Sequence, residues 1–371
     1  MTAVLLPIKH PPLTGYVHHA YPLSIILNNP ASLPWLYSNY IQLHYDPTQG
    51  NSALAFNFFH YYYPHNGGFI CPFLKHMWFS KRMIVEFGRL DTFIKDSIDR
   101  GYHVYFFCDE HYIPNRSSHL NGTHLAHDIL ISGYDEKSRE YAMQGYDENG
   151  TYRLSKATFE QMEMAFRPSE HMSKDYHDNV QLFGAGEPDW QFRLEPVIEL
   201  LKDYVLSRDT SLRYGLRRDR RSDLFGMRVY ELFQAYADAV LSCRQGLDIR
   251  AFHLLWEHKR LMLARIRWLM DNGWLPHDPR LIADYGQVER MAFEIRGHAV
   301  KTAASQETAY MQTAVSELRS MEDQEVAVLT HVIEALESMN GMSPAAERPA
   351  SALSSSSSQT IDWEDALDFQ F

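Results

Sequence analysis

The residues best placed to do chemistry fall between His103 and Leu154. An apolar segment ends in Cys108-Asp109, a loop carries Pro114, and Thr123-His124-Leu125-Ala126-His127 leads into HDILISGYD. A turn follows, then EYAMQGYD and TYRLS. An imidazole at the start of a strand acts as a base when one ring nitrogen is free and a carboxylate or amide holds the other. His127 is the candidate base. Asp109 is a candidate pocket carboxylate, and a loop-capping Asp is as good a reading. Cys108 and Cys71 are thiols that would have to reach His127 to act as nucleophiles; each also reads as a small core residue. His111, His119, His124 and His127 crowd into seventeen residues. Their spacing on a loop does not align two rings as a helical i, i+4 pair would, and no Cys or carboxylate completes a ligand set, so no metal site is expected.

Those side chains need a scaffold of strands. To about Phe183 the chain is rich in aromatics, His, Pro and Gly. TAVLLPI, LSIILN, HVYFF, HDILISGYD, EYAMQGYD and TYRLS read as strands, because β-branched and aromatic residues dominate and Gly, Asn or Asp punctuate them. Asp147-Glu148-Asn149-Gly150 marks a tight turn. Two helices are expected here, one from Asn51 through SALAFNFFHYYY and one over MIVEFGRLDTFIKDSIDRG, closed by Gly101. The aromatic block FNFFHYYYP would pack the first helix, with His60 and Tyr61 to Tyr63 near a pocket mouth. From about Pro188 the apolar residues recur every three or four positions, which predicts four to six helices. The long segment from Ile282 to Met339 is part of this region. WEHKRLMLARIRW reads as a core helix with snorkelling Lys and Arg.

The expected fold class is therefore α+β: an early helix on an antiparallel sheet over residues 1–185, then an all-helical domain over 186–340. Residues 341–360 are mostly Ser, Ala and Pro and read as a disordered linker. Residues 361–371, IDWEDALDFQF, carry four acidic and no basic residues beside Ile361, Trp363, Leu367, Phe369 and Phe371. An apolar, acidic peptide on a tether reads as a docking motif, with Trp363, Phe369 and Phe371 as its anchors.

Charge narrows the partners. With 47 acidic against 35 basic residues and a formal charge of −12, nothing supplies the basic face that nucleic acid requires. Arg213, Arg217, Arg218, Arg220 and Arg221 form a basic knot that would hold a phosphate or an acidic carrier, or be a solvated loop. Three cysteines do not make a disulfide framework. No apolar run is long enough to span a membrane and no signal peptide is evident, so a cytoplasmic protein is expected.

The segment from about Tyr37 to Phe166 resembles the N-terminal domain of the butirosin biosynthesis protein H family, and more remotely papain-like peptidases that trim double-glycine leader peptides. Phe107-Cys108-Asp109 with Tyr112-Ile113-Pro114, then His124-Leu125-Ala126-His127 with Gly133-Tyr134-Asp135, carry the likeness. The helix opening reads Gln49-Gly50-Asn51-Ser52-Ala53-Leu54. Phe225 to Tyr230 and Trp256-Glu257-His258-Lys259 are similar to helical regions of relatives found with nonribosomal peptide synthetases. The resemblance implies a papain-like first domain, with His127 as base and Gln144 at the position of the orienting acid. The family's nucleophilic Cys would fall on Gln49, where a carboxamide cannot attack but could donate to an oxyanion. Ser52, one turn further, is implied to be structural. His124 lies in the implied substrate site beside His127.

The resemblance further implies a role in nonribosomal peptide or polyketide biosynthesis, with an acyl- or peptidyl-carrier protein or a synthetase docking domain as partner. The substrate would arrive on phosphopantetheine, and no other cofactor is implied. Two functions follow from the missing Cys: a degenerate domain that binds the tethered acyl chain, or an active acyltransferase, cyclase or thioester hydrolase using His127 as general base or a relocated Cys.

Overall fold

In a computed structural model of the chain, the described residues are 3–47, 55–59, 71–214, 223–242 and 246–342. In chain order the elements begin β1 (Ala3–Leu5), α1 (Val17–Ile26), α2 (Leu33–Asn39), β2 (Leu43–Tyr45) and β3 (Phe56–Phe58). There follow β4 (Leu74–Ser80), α3 (Lys81–Phe87), α4 (Leu90–Asp99), β5 (Tyr102–Asp109), α5 (Ser117–Leu120), β6 (Ala126–Asp135), β7 (Glu140–Tyr146) and β8 (Tyr152–Thr158). The remainder are α6 (Phe159–Phe166), β9 (Asn179–Ala185), α7 (Leu194–Val205), β10 (Leu224–Phe225), α8 (Val229–Leu241), α9 (Arg250–Asp271), α10 (Pro279–Ser305) and α11 (Thr308–Met342).

The described residues divide into two units. Residues 3–32 and 71–190 form one; residues 33–59 and 191–342 form the other. The sequence places 33–59 with the first domain. The structure moves α2, β2 and β3 to the helical unit, where β2 pairs with both β3 and β10. Helix α11 also runs to Met342, two residues into the expected linker.

The first unit is a mixed α/β structure built on an antiparallel sheet in the order β4-β9-β5-β6-β7-β8, with β1 added against β6. Strand β6 bulges between Ile131 and Gly133. A Cβ on Gly133 would lie 2.5 Å from the Val4 carbonyl oxygen, so only glycine lets β1 approach there. One face of the sheet presents Val104, Phe106, Cys108, Ile129, Ile131 and Met143 to α4 and α6. Helix α4 meets them with Leu90, Ile94 and Ile98, four residues apart and all buried. Gly101 ends that helix with φ +84°, a conformation that favours glycine. On the opposite face α1 sends the Tyr21 hydroxyl to the carbonyl oxygens of Asp128 and Gln144.

Two expected elements change type. Leu23 to Ile26 of LSIILN lie in α1, which is buried on nearly every side; an apolar run of that kind does not distinguish a buried helix from a buried strand. FNF is strand β3, with Phe56 and Phe58 buried and Asn57 between them only half-buried. The start of the expected helix, from Asn51 to Leu54, and His60 to Tyr63 lie outside the described residues. The expected second helix is two, α3 and α4, divided at Gly88.

In the second unit α10 packs on α9 and α11, and α11 on α7 and α8. The long apolar segment is broken at Gln306, which takes a left-handed φ of 61°. Lys259 and Arg265 do not snorkel: both are fully buried. Arg265 donates to the carbonyl oxygens of Tyr37 and Tyr40. The Lys259 ammonium lies 2.8 Å from Glu325, whose carboxylate also accepts the hydroxyls of Tyr204, Tyr230 and Tyr285. Surrounding donors replace the water both ions lost. Among the described residues no helix is long and apolar enough to cross a membrane.

Candidate functional site

Strands β5 and β6 run antiparallel, with Cys108 opposite His127 and Asp109 opposite Ala126. That register brings the end of β5 beside the segment entering β6. Asp109 is buried, with 1% of its surface exposed. Its Oδ1 accepts the backbone N–H of His111 at 3.1 Å, the capping role. Its Oδ2 lies 2.6 Å from Nδ1 of His124. Because an ionised carboxylate can only accept, Nδ1 of His124 is the donor, and in the neutral ring that leaves Nε2 as the basic nitrogen. Among the described residues Nε2 of His124 makes no hydrogen bond.

The His124 ring is held between two other imidazoles. His111 stacks on it at 4.2 Å and His171, from the turn Glu170–Met172, at 4.6 Å with an interplanar angle of 10°. His119 contacts the His111 carbonyl oxygen through Nδ1 at 2.6 Å. Among the described residues no group of three His, Cys, Asp or Glu is arranged to hold a metal ion.

His127 stands one residue inside β6, with its side chain one-third exposed. Its Nδ1 lies 3.1 Å from the Asp128 carbonyl oxygen, 3.2 Å from Asp128 Oδ1 and 3.7 Å from Glu110 Oε1. All are acceptors, which again leaves Nε2 as the basic nitrogen. Burial raises the Glu110 carboxyl above its usual range, opposed by His127 and by Arg116, whose Nε is 3.5 Å away. Arg116 is itself buried and donates to the Tyr146 carbonyl oxygen. A Cβ at Gly145 would sit 2.6 Å from its guanidinium, so the bare backbone there makes room for it.

Gln144 does not orient His127. It is opposite Leu130, three residues along β6 from His127, and a side-chain period of two turns it to the other face. There its Oε1 accepts the Tyr152 hydroxyl at 2.8 Å and its Nε2 donates to Ser132 Oγ at 3.2 Å. Ser132 in turn lies 2.9 Å from Nδ1 of His103. The carboxylates beside His127 are those of Glu110 and Asp128.

The described thiols are poor nucleophiles. Cys108 is 1% exposed, and burial, with Glu110 adding to it, drives its ionisation far above the usual thiol range. Burial pushes Cys71 up to about 12. Gln49, Ser52, Arg217, Arg218, Trp363, Phe369 and Phe371 lie outside the described residues. Arg213 clamps α7, reaching Asp203 at 2.5 Å and Glu199 at 3.1 Å.

Glu110, Asp128 and Arg116 were not singled out from the sequence, although Glu110 follows Asp109 and Asp128 follows His127 directly. His171 carries no such signal; only the packing of its turn beside β5 brings it to His124.

The site thus belongs to a mixed α/β protein with an antiparallel sheet, at one end of which His124 and His127 stand beside three carboxylates. No family model matches the chain. The chain is similar to a ribostamycin:4-(gamma-L-glutamylamino)-(S)-2-hydroxybutanoyl-[BtrI acyl-carrier protein] 4-(gamma-L-glutamylamino)-(S)-2-hydroxybutanoate transferase of Niallia circulans, at 25% identity over 146 residues. The match covers 36% of this chain and 48% of that protein, so the chain spans about half the length of its curated relative.

Proposed function

We propose that this chain engages an acyl group tethered to a carrier protein in natural-product biosynthesis and passes it directly to an amine or water, without an acyl-enzyme. The first unit would be a divergent papain-like domain. The relative is a transferase that takes its acyl group from an acyl-carrier protein. The observation that carries the chemistry is the 2.6 Å contact between His124 and buried Asp109. Its Nε2, or that of His127 beside Glu110 and Asp128, would take the proton of the incoming nucleophile. The new bond to the acyl carbon forms as the thioester C–S bond breaks, and the departing phosphopantetheine thiolate takes the same proton back from the imidazolium and leaves as the thiol. The test is acyl transfer from a loaded carrier protein to a primary amine, with His124→Ala and His127→Ala compared against the parent chain.

A second reading, a degenerate domain that binds the tethered chain without catalysis, is favoured by the engagement of Gln144 away from His127. Unchanged turnover in both His variants, with carrier binding intact, would select it.

A further inference from the structure

We propose that His171 is a positioning residue for His124: its ring closes a three-imidazole stack that fixes the plane of the base, and with it the direction of Nε2. This deepens the reading of His124 as a general base and rests on it.

His124 needs such support. Thr123 to Leu125 belong to no helix or strand, so regular backbone gives the side chain no platform. Asp109 holds one point of the ring, Nδ1, at 2.6 Å. A single hydrogen bond still lets the ring tilt about the line of that bond, and the tilt swings Nε2. Rings packed on both faces remove that freedom. His111 lies 4.2 Å away on one face, and His171 lies 4.6 Å away and within 10° of parallel on another.

Both outer rings are tied to the scaffold. The His111 N–H is held by Asp109 Oδ1, and its carbonyl oxygen lies 2.6 Å from Nδ1 of His119. Among the described residues Nδ1 of His111 is buried without a hydrogen-bond partner, so that ring serves the stack through its face. The turn that carries His171 is anchored by Met172, which is buried. Lys81, the first residue of α3 and 2% exposed, touches Met172 Sδ at 3.7 Å. The same ammonium donates to the Phe107 carbonyl oxygen at 2.5 Å and lies 4.7 Å from the centre of the Phe166 ring. Burial lowers it to about 8, which leaves it charged at neutral pH. Lys81 thus joins the end of β5, helix α6 and the His171 turn. The Glu170 carboxylate, 3.6 Å from Nε2 of His171, is 87% exposed and adds little.

On this account the ring of His171 matters and its nitrogens do not. The test is acyl transfer from a loaded carrier protein to a primary amine, compared in the parent chain, His171→Ala, His171→Phe and His124→Ala. A misplacement of roughly 1 Å costs up to about 10²-fold, so His171→Ala should lower kcat about 10- to 100-fold with KM for the carrier unchanged. His171→Phe keeps a flat ring and should restore most of kcat. Proton–carbon NMR on histidine-labelled full chain, with the ring signals of His124 assigned through His124→Ala, reads the stack without activity. Those signals should move downfield in His171→Ala, where one ring current is lost, and stay upfield in His171→Phe.

Unmoved signals in His171→Ala overturn the proposal. So does an unchanged kcat, a loss confined to KM, or a loss that His171→Phe does not repair, where His124→Ala abolishes turnover. If His124→Ala turns over like the parent chain, the base reading itself falls and the positioning role falls with it.

Discussion

Cys108 and His127 face each other across β5 and β6, yet they do not make a thiolate–imidazole pair. The thiol is buried under the helices α4 and α6, while the imidazole stands one-third exposed among acceptors. A nucleophilic cysteine needs a lowered pKa and access, and Cys108 has neither. Cys108→Ala is therefore expected to cost about 1–2 kcal/mol of stability through the small cavity it leaves, and to spare acyl transfer. In the folded parent chain, Cys108 should resist alkylation at neutral pH and label only on unfolding. Rapid labelling of Cys108, followed by mass spectrometry, would contradict this.

The pair His124 and Asp109 makes a sharper prediction. Asp109→Asn keeps a side-chain oxygen for the His111 N–H but gives His124 an amide in place of a carboxylate. It should lower acyl transfer by about 10²- to 10⁴-fold, as His124→Ala does, because both remove the same base. The double variant should be no worse than either single one, since the two residues act as a unit. Circular dichroism should show the fold retained. A full, additive second loss would mean that the two residues act separately.

Behind the site, Tyr152, Gln144, Ser132 and His103 form a buried polar chain. Burial lowers His103 from the usual 6.5 to about 4. Between those values the unfolded chain takes up a proton that the folded chain refuses. The stability owed to the neutral ring is thus present above pH 6.5 and is lost as the pH falls towards 4. The loss is of order 3 kcal/mol for a shift of this size. His103→Gln should remove this component, read as the difference in urea midpoint between pH 7 and pH 4.5.

In the helical unit, Lys259 and Glu325 form a fully buried ion pair. Burial lowers the Lys259 ammonium below its usual range, and Glu325 opposes that. Lys259→Met strands a carboxylate with only tyrosine donors and should cost about 3–5 kcal/mol in urea unfolding. Replacing both, Lys259→Met with Glu325→Gln, should recover part of that loss. No recovery would show that the tyrosine cage, not the pairing, carries the stability.

Much of the sheet was legible in the sequence. HVYFF, HDILISGYD and EYAMQGYD announce β5, β6 and β7 through β-branched and aromatic runs between turn residues, and the helical periodicity after Pro188 announces α7 to α11. Strands β4 and β9 were not read, because LKHMWFS is an edge strand with little alternation and NVQLFGA returns from a distant turn to the middle of the sheet. Residue type and position single out His127 and Asp109 as candidates. The error over Gln144 has a simple origin: its face depends on register, and a shift of one residue in pairing reverses it. The roles of Glu110, Asp128 and His171 depend on side-chain contacts that no local spacing encodes.

The central claim, direct transfer without an acyl-enzyme, is tested by presenting an acyl-loaded carrier protein and a primary amine to the parent chain and to a variant with all three cysteines changed to serine. The account predicts that amide product forms with both proteins and that intact-protein mass shows no acyl adduct on either. An acyl adduct on the parent chain, with product lost in the cysteine-free variant, would contradict it.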